Sequence, residues 1–199
     1  MPASLILASA SPRRRELLQL LGYPFVVDAP EVDEDCPLGA REAVAALSRR
    51  KALAAAAQHP GCVILAADTL VAIDNMPLGK PADAADAHRM LRMLSGREHH
   101  VYTGVSVVSA DGVLTGGLDA STVRFAQMSD PEIDRYIATG EPMDKAGAYA
   151  LQGMAGAWIE EVRGTPSGVI GLPLPLTRRL LEACLGAPGS AGPCAPSVR

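Results

Sequence analysis

Aromatic residues, cysteine motifs and long hydrophobic runs are all scarce in this sequence. Only 4% of its 199 residues are aromatic although 48% are hydrophobic, so the core must be built from closely packed alanine and aliphatic side chains. No run approaches the roughly 20 apolar residues that a helix needs to cross a membrane. The length and composition therefore indicate one globular domain with a sizeable core.

Basic charge is also in short supply, since the net charge is -4 and the pI is about 5.5. A nucleic-acid polymer or an anionic membrane requires a concentrated basic face, so we expect neither as a partner. The four cysteines show no C-x-x-C spacing, which argues against a zinc site or a redox motif. We expect free thiols in a reducing compartment and a cytoplasmic location.

Strand and helix signals alternate along the chain. The first half predicts a helix that begins at Pro12 after an N-cap at Ser11, and a second helix over 40–58. Strands are predicted at 5–8, 25–27, 62–67 and 70–73.

The second half continues the alternation. It predicts, in order, a helix from Asp83 to Gly96, a hairpin of 100–109 and 113–126 around Asp111-Gly112, a helix over 130–140, a strand over 158–162 and a helix over 174–185. We assign residues 1–185 to one domain. Residues 186–199 are mostly Gly, Ala, Pro and Ser, and their composition predicts a flexible tail.

The stretch from Ser9 to Arg15 has the composition of an anion site. It places two hydroxyl groups and three guanidinium groups at a helix N-terminus, where free N–H groups favour phosphate oxygens. An ordinary capped helix with arginines on its solvated face fits this stretch equally well.

Carboxylates and lysines elsewhere in the chain are further candidates for a phosphate site. The carboxylates would hold a metal ion, and the lysines would contact the phosphate itself. Asp68, followed by Thr69, comes after a buried strand, so we expect its carboxylate at an edge or cleft, suited to metal ligation or general-base work. Glu31 lies in an acidic loop that offers hard oxygen ligands for Mg²⁺. Lys80 stands between Gly79 and Pro81, where it would project from a loop. A turn-forming aspartate and a solvated acidic loop are the plainer alternatives.

Two further candidates come from a helix and from a segment of small residues. Lys51 falls on the same helical face as Val44 and Leu47, so it must either snorkel to solvent or find an anion. The small residues of 144–153 permit a ligand to approach the backbone, and Gln152 could recognise a base edge through both of its amide atoms. Alone, this segment could equally be a tight packing site.

Taken in order, these segments resemble the Maf family of nucleotide pyrophosphatases, with a match over 5–185. The shared patterns are S-x-S-P-R-R at 9–14, A-D-T at 67–69, G-K-P at 79–81, L-S-G-x-x-H-x-V-x-T-G-V at 94–105, D-K-A-G-A-Y-x-x-Q-G at 144–153 and G-L-P-L at 171–174. The resemblance implies a single α/β domain of the Maf and ITPase type, with a long mixed twisted sheet, two lobes and a central cleft that holds the site.

The resemblance also implies an activity, namely hydrolysis between the α- and β-phosphates of a nucleoside triphosphate with Mg²⁺ or Mn²⁺. It assigns phosphate neutralisation to Arg13, Arg14, Lys51 and Lys80. Glu31 and Asp68 would hold the metal and the attacking water, with Asp68 as proton acceptor and Ser9 orienting a phosphate.

Substrate preference within the family follows three positions. Arg13, Thr69 and Gln152 resemble the dTTP/UTP branch, whereas a 7-methyl-GTP branch would show an aromatic residue, Gln and Glu. A loop at 164–168 departs from the family pattern and leaves the finer preference, including that for modified pyrimidine nucleotides, open.

The resemblance further suggests a homodimer. Two other hypotheses stay open: a binding regulator of septum formation, which an Asp68→Asn variant would separate from the enzyme, and a nucleotide-binding module without turnover.

Overall fold

The computed structural model describes residues 4–188, which form one mixed sheet covered by helices. The strands of this part of the chain are β1 (Leu5–Leu7), β2 (Phe25–Val27), β3 (Val63–Ile73), β4 (Met76–Leu78), β5 (Glu98–Val108), β6 (Leu114–Phe125) and β7 (Ile159–Arg163). Their order is β2-β1-β3-β5-β6-β7, and β4 pairs with β3. β1 is parallel to both β2 and β3, whereas the remaining pairs are antiparallel. The predicted mixed α/β sheet is confirmed.

Side chains cap the two helices that the sequence predicts to begin after Ser11 and Asp83. The described helices are α1 (Pro12–Gln19), α2 (Ala40–Gln58), α3 (Ala84–Leu94), α4 (Asp130–Ala138), α5 (Pro166–Ile170) and α6 (Leu174–Leu185), with 3-10 turns at Glu141–Asp144, Ala146–Ala148 and Met154–Trp158. The Ser11 hydroxyl accepts a hydrogen bond from the Arg14 N–H, and the Asp83 carboxylate accepts one from the Asp86 N–H. These contacts satisfy N–H groups that lack partners inside the helix.

Two hydrophobic clusters lie at opposite ends of the long strands. One contains Leu18 of α1 and Leu181 of α6, and the other contains Leu91 of α3 and Tyr136 of α4. Strand β3 contributes to both clusters, with Leu65 in the first and Val71 in the second. A third cluster joins α2 to β1 and β3. The cluster that contains Leu18 and Leu181 marks one lobe, and the cluster that contains Leu91 and Tyr136 marks the other. The two lobes are therefore parts of one continuous sheet, with a cleft between them.

The prediction of two strands on either side of Asp68 and Thr69 was wrong. Both residues lie inside the continuous strand β3, because β5 pairs with it throughout and places Asp68 opposite Gly104 and Thr69 opposite Thr103. Sequence patterns also missed β4, a short edge strand that contains a proline, and α5, whose Pro-Ser-Gly start is typical of a loop.

Beyond the domain boundary, Gly186 accepts a hydrogen bond from the Tyr23 hydroxyl at 2.8 Å, so the beginning of the predicted tail is anchored to the domain. The rest of that tail, from 189 onwards, lies outside the described residues. Within residues 4–188, no helix has both the length and the hydrophobicity to cross a membrane.

Gly104 allows α2 to pack directly on β5. A Cβ atom at this position would lie 2.3 Å from the Val44 carbonyl oxygen, which is closer than any real contact. The absence of a side chain thus sets the distance between α2 and the sheet, and with it the position of Lys51 on α2.

We expect Gly104→Ala to lower the free energy of unfolding by about 2 to 3 kcal/mol, because α2 must move outwards. Urea unfolding of the purified proteins measures this. Gly79→Ala is the matched control, since a Cβ there meets no atom within 4 Å. Equal stability of Gly104→Ala and Gly79→Ala would contradict this explanation.

Candidate active site

A cavity of about 850 Å³ occupies the cleft between the two lobes. The predicted site residues at its wall are Ser9, Arg13, Arg14, Lys51, Asp68, Thr69, Lys80 and Gln152. They come from α1 and its preceding turn, α2, β3, the loop after β4 and the 3-10 segment after α4. Eight of the nine predicted residues are thus brought together, and Glu31 is not.

Arg14 is a half-buried cation that connects three parts of the site. Its guanidinium donates hydrogen bonds to the Gly171 carbonyl at 2.9 Å, the Ser9 hydroxyl at 3.2 Å and the Thr69 hydroxyl at 3.2 Å. Burial lowers the pKa of Arg14 from its ordinary value, but an arginine starts so high that it stays charged. Arg14 therefore provides a fixed positive charge at the α1 end of the cleft.

Thr69 extends this hydrogen-bond network from β3 to the neighbouring strand β5. The Thr103 hydroxyl donates its single hydrogen to the Gly168 carbonyl at 2.8 Å, so Thr69 must donate to Thr103 across the 2.9 Å between their oxygens. Thr69 in turn accepts from Arg14. The chain of bonds fixes the orientation of each group and anchors α5 to the site.

Lys51 lies between two carboxylates. Its Nζ atom is 2.7 Å from Asp68 Oδ1 and 2.7 Å from Glu34 Oε1. The Lys51 and Asp68 side chains are only 13% and 10% exposed, whereas Glu34 is 64% exposed. The hydrogen bond from Lys51 is the main cause that lowers the pKa of Glu34 below its usual value. Of the two alternatives for Lys51, snorkelling to solvent or binding an anion, the structure shows the second, with two carboxylates.

Glu34, and not Glu31, is the carboxylate of the acidic loop that contacts Lys51. Glu31 is exposed and does not line the cavity. The physical reason is Arg50, whose guanidinium donates to the carbonyls of Asp33 and Asp35 and so turns Glu34 towards Lys51. In a run that holds Glu31, Asp33, Glu34 and Asp35, no local signal marks one carboxylate, because the choice depends on contacts with α2.

Two further cations, the half-buried Arg13 and the exposed Lys80, reach the cleft from opposite lobes. Arg13 on α1 lies 3.8 Å from Asp144, which belongs to the other lobe. Lys80 is exposed on the loop after β4, where the Gly79 carbonyl accepts a hydrogen bond from the Gly147 N–H at 3.0 Å. Neither cation is buried by protein, so both are accessible to a phosphate.

The segment of small residues packs tightly and still presents Gln152 to the cavity. Gly147 has a φ of +68°, and a Cβ there would lie 2.9 Å from the Val71 side chain. Gln152 itself is exposed and lines the cavity. Tight packing therefore describes Gly147, whereas Gln152 lines the cavity.

Tyr149, which belongs to the same segment, is fixed in place by a hydrogen bond with the buried His99. The Tyr149 hydroxyl is 2.8 Å from His99 Nε2, and the two rings meet edge to face. His99 is 1% exposed, and burial lowers its pKa to about 3, so the imidazole is neutral at pH 7. His99 thus acts as a structural support of the site.

The carboxylates fit a divalent cation of the hard type. Mg²⁺ commonly uses one or two protein carboxylates and completes its shell with water and substrate phosphates. Asp68 and Glu34 supply two such groups at one point of the cleft. Within residues 4–188, no group of three or more His, Cys, Asp or Glu side chains is arranged to hold a metal ion.

A family model described as Maf-like protein matches residues 4–184. The chain belongs to the Maf-like family. This Maf-like protein is 50% identical to a dTTP/UTP pyrophosphatase of Symbiobacterium thermophilum, over 89% of its own length and 92% of the relative's. It is 52% identical to a dTTP/UTP pyrophosphatase of Anaeromyxobacter dehalogenans strain 2CP-C, over 92% and 94% of the two chains.

Solved structures support the fold of this Maf-like protein at lower identity. The Ham1 protein of Staphylococcus aureus superposes with a TM-score of 0.51 at 14% identity, over 90% of this chain and 98% of the other. A HAM1 protein from Coxiella burnetii gives the same TM-score at 17% identity, over 91% and 99%. These similarities confirm the predicted fold class.

His99 predicts a pH effect on stability. The unfolded chain takes up a proton at His99 below about pH 6.5, whereas the folded protein does so only near pH 3, so folding loses stability as the pH falls through this window. We expect the stability advantage of wild type over His99→Gln to shrink by about 2 kcal/mol between pH 7.5 and 5. Urea unfolding at both pH values measures it. His100→Gln, at the exposed neighbouring position, should show no such change, and a constant gap for His99→Gln would refute the effect.

Proposed function

We propose that this Maf-like protein hydrolyses dTTP and UTP between the α- and β-phosphates, releasing the nucleoside monophosphate and pyrophosphate with the help of Mg²⁺ or Mn²⁺. The observation that carries the proposal is the Lys51–Asp68–Glu34 cluster at the wall of a cleft that also holds Arg13, Arg14 and Lys80. Two relatives that are at least 50% identical over most of their length are named for this activity.

The cations have separate parts in this proposal. Arg13 and Lys80 are accessible and would bind the phosphate oxygens, on which negative charge develops in the transition state. Arg14 adds a fixed charge and orients Ser9, whose hydroxyl would bind a phosphate. Lys51 is engaged by both carboxylates, so its first task is to position them.

Asp68 is the proposed proton acceptor for the attacking water. Lys51 donates to Asp68 Oδ1 and so leaves Oδ2 as the oxygen that would take the proton. Asp68 and Glu34 would hold the divalent cation, which supplies neutralisation of the phosphate charge when bound. A deep position in the cleft, with 10% exposure, keeps bulk water from competing for the Asp68 carboxylate.

Gln152 would bind the base of the nucleotide. Thr69 and Arg13 would also contribute to the preference for one nucleotide over another. A glutamine amide offers one acceptor and one donor side by side, which matches the N3–H and O4 groups of uracil and thymine. Because modified pyrimidine nucleotides retain this edge, we include them among the proposed substrates. Removal of such nucleotides from the cytoplasmic pool is the cellular role that we propose. The homodimer remains a prediction.

We expect metal-dependent pyrophosphate release that favours dTTP and UTP over CTP, GTP, ATP and 7-methyl-GTP. Asp68→Asn should lower kcat by about a hundredfold or more, because an amide does not accept the water proton. Asp74→Asn is the control, since Asp74 pairs with Arg97 on the surface. Release that is unaffected by a chelator, or equal in Asp68→Asn and wild type, would overturn the proposal.

A comparison of two glutamates tests the metal site. Glu34→Gln should raise the Mn²⁺ concentration needed for half-maximal activity by about tenfold, since loss of one hard ligand weakens a cation site that has few. Glu31→Gln, three residues away in the same loop, should behave as wild type. The opposite pattern would return the role to Glu31.

A further inference from the structure

The five residues around Gln152 are held at both ends by one pair of side chains. The Ala150 N–H donates to the Tyr136 hydroxyl at 3.3 Å, and the Met154 N–H donates to the Glu141 carboxylate at 3.2 Å. The Tyr136 hydroxyl donates to the same carboxylate at 2.7 Å, which closes the arrangement. Gln152 therefore lies at the midpoint of a segment whose two ends are both fixed to this pair.

We infer that Tyr136 and Glu141 form a positioning pair that sets where Gln152 lies in the cleft and thereby which base the cleft prefers. The inference rests on the proposed function, because it assumes that Gln152 meets the base. Neither side chain lines the cavity, so the pair acts through the backbone of 150–154.

The pair is rigid enough for this role. Tyr136 is completely buried on α4, and its ring packs against Trp158 with 6.0 Å between the ring centroids. Burial, with a contribution from the Glu141 hydrogen bond, raises the pKa of Tyr136, so the hydroxyl stays protonated and continues to donate to the carboxylate. Ring packing and hydrogen bonding therefore both restrict the position of the Tyr136 hydroxyl.

Gly153 shows how closely Glu141 supports the segment. A Cβ atom at Gly153 would lie 2.0 Å from Glu141 Oε1, so the carboxylate lies directly against the backbone beside Gln152. A shift of the carboxylate towards Gly153 would therefore push on this backbone, and a shift away from it would lengthen the hydrogen bond from the Met154 N–H. The contact transmits the position of Glu141 to the neighbouring residue.

Precise placement matters because base recognition by an amide requires two hydrogen bonds at once. The Gln152 oxygen must meet N3–H of uracil while its NH₂ meets O4, and both bonds weaken when the amide moves by more than a few tenths of an ångström. CTP has the same size but exchanges the donor and the acceptor on this edge, so it can form both bonds only with the amide turned by 180°. The ratio of UTP to CTP turnover therefore reports the position of Gln152 more directly than activity alone does.

We expect Tyr136→Phe and Glu141→Gln to lower the ratio of kcat/KM for UTP to that for CTP by about fivefold, the value of roughly one hydrogen bond. The ratio comes from one preparation, so it does not depend on the folded fraction. The matched control is Tyr23→Phe, which removes a hydroxyl bonded to the Gly186 carbonyl in the other lobe and should leave the ratio unchanged.

A protein that already carries Gln152→Ala distinguishes positioning of Gln152 from general structural support. In Gln152→Ala the preference should already be lost, so adding Tyr136→Phe should not change the ratio further. If Tyr136→Phe and Glu141→Gln lower turnover of UTP and CTP equally, the pair supports only stability and the inference is wrong. A further fall of the ratio in the Gln152→Ala background would also overturn it.

Binding of non-hydrolysable α,β-methylene UTP and CTP, measured by calorimetry, separates failure of this inference from failure of the proposed function. A wild-type protein that prefers the UTP analogue without hydrolysing UTP would contradict the hydrolase and still test the pair through the ratio of Kd values. Absence of any preference in both binding and turnover would overturn the inference.

Discussion

The Lys51 ammonium between Asp68 and Glu34 is the interaction on which the site depends. A lysine with 13% exposure on the inward face of α2 would be costly without an anion, and two carboxylates within 2.7 Å meet that need. Its position follows from Gly104, which allows α2 to approach β5. The same contact brings a residue of β3 and a residue of an acidic loop to one point, which neither segment would achieve alone.

A second network, centred on Arg14, organises the other side of the cleft. Arg14 joins the turn at Ser9, the middle of β3 at Thr69 and the loop at Gly171 that precedes α6. Asp68 and Thr69, adjacent on β3, thus each anchor one network. The strand β3, which runs through both lobes, thus holds a lysine of α2 on one side of the cleft and an arginine of α1 on the other.

Local signals made much of this fold predictable. The cap at Ser11, the bounds of α2 and the hairpin at Asp111-Gly112 each follow from a few neighbouring residues, and the structure confirms them. The continuity of β3 was not predictable, because pairing with β5 decides it. The contact of Glu34 with Lys51 was not predictable, because hydrogen bonds from Arg50 on α2 to the Asp33 and Asp35 carbonyls position the loop. The Tyr136–Glu141 pair was missed because its hydroxyl and carboxylate bind backbone N–H groups of 150–154.

The most direct test of the central claim is a double-mutant cycle on kcat/KM for UTP with Lys51→Met and Asp68→Asn. If Lys51 works by positioning the carboxylates, the double variant should be no more than about threefold less active than Asp68→Asn alone, because the group that Lys51 positions is already lost. Full multiplication of the two single effects would contradict the account and would mean that Lys51 acts on the substrate phosphates independently of Asp68.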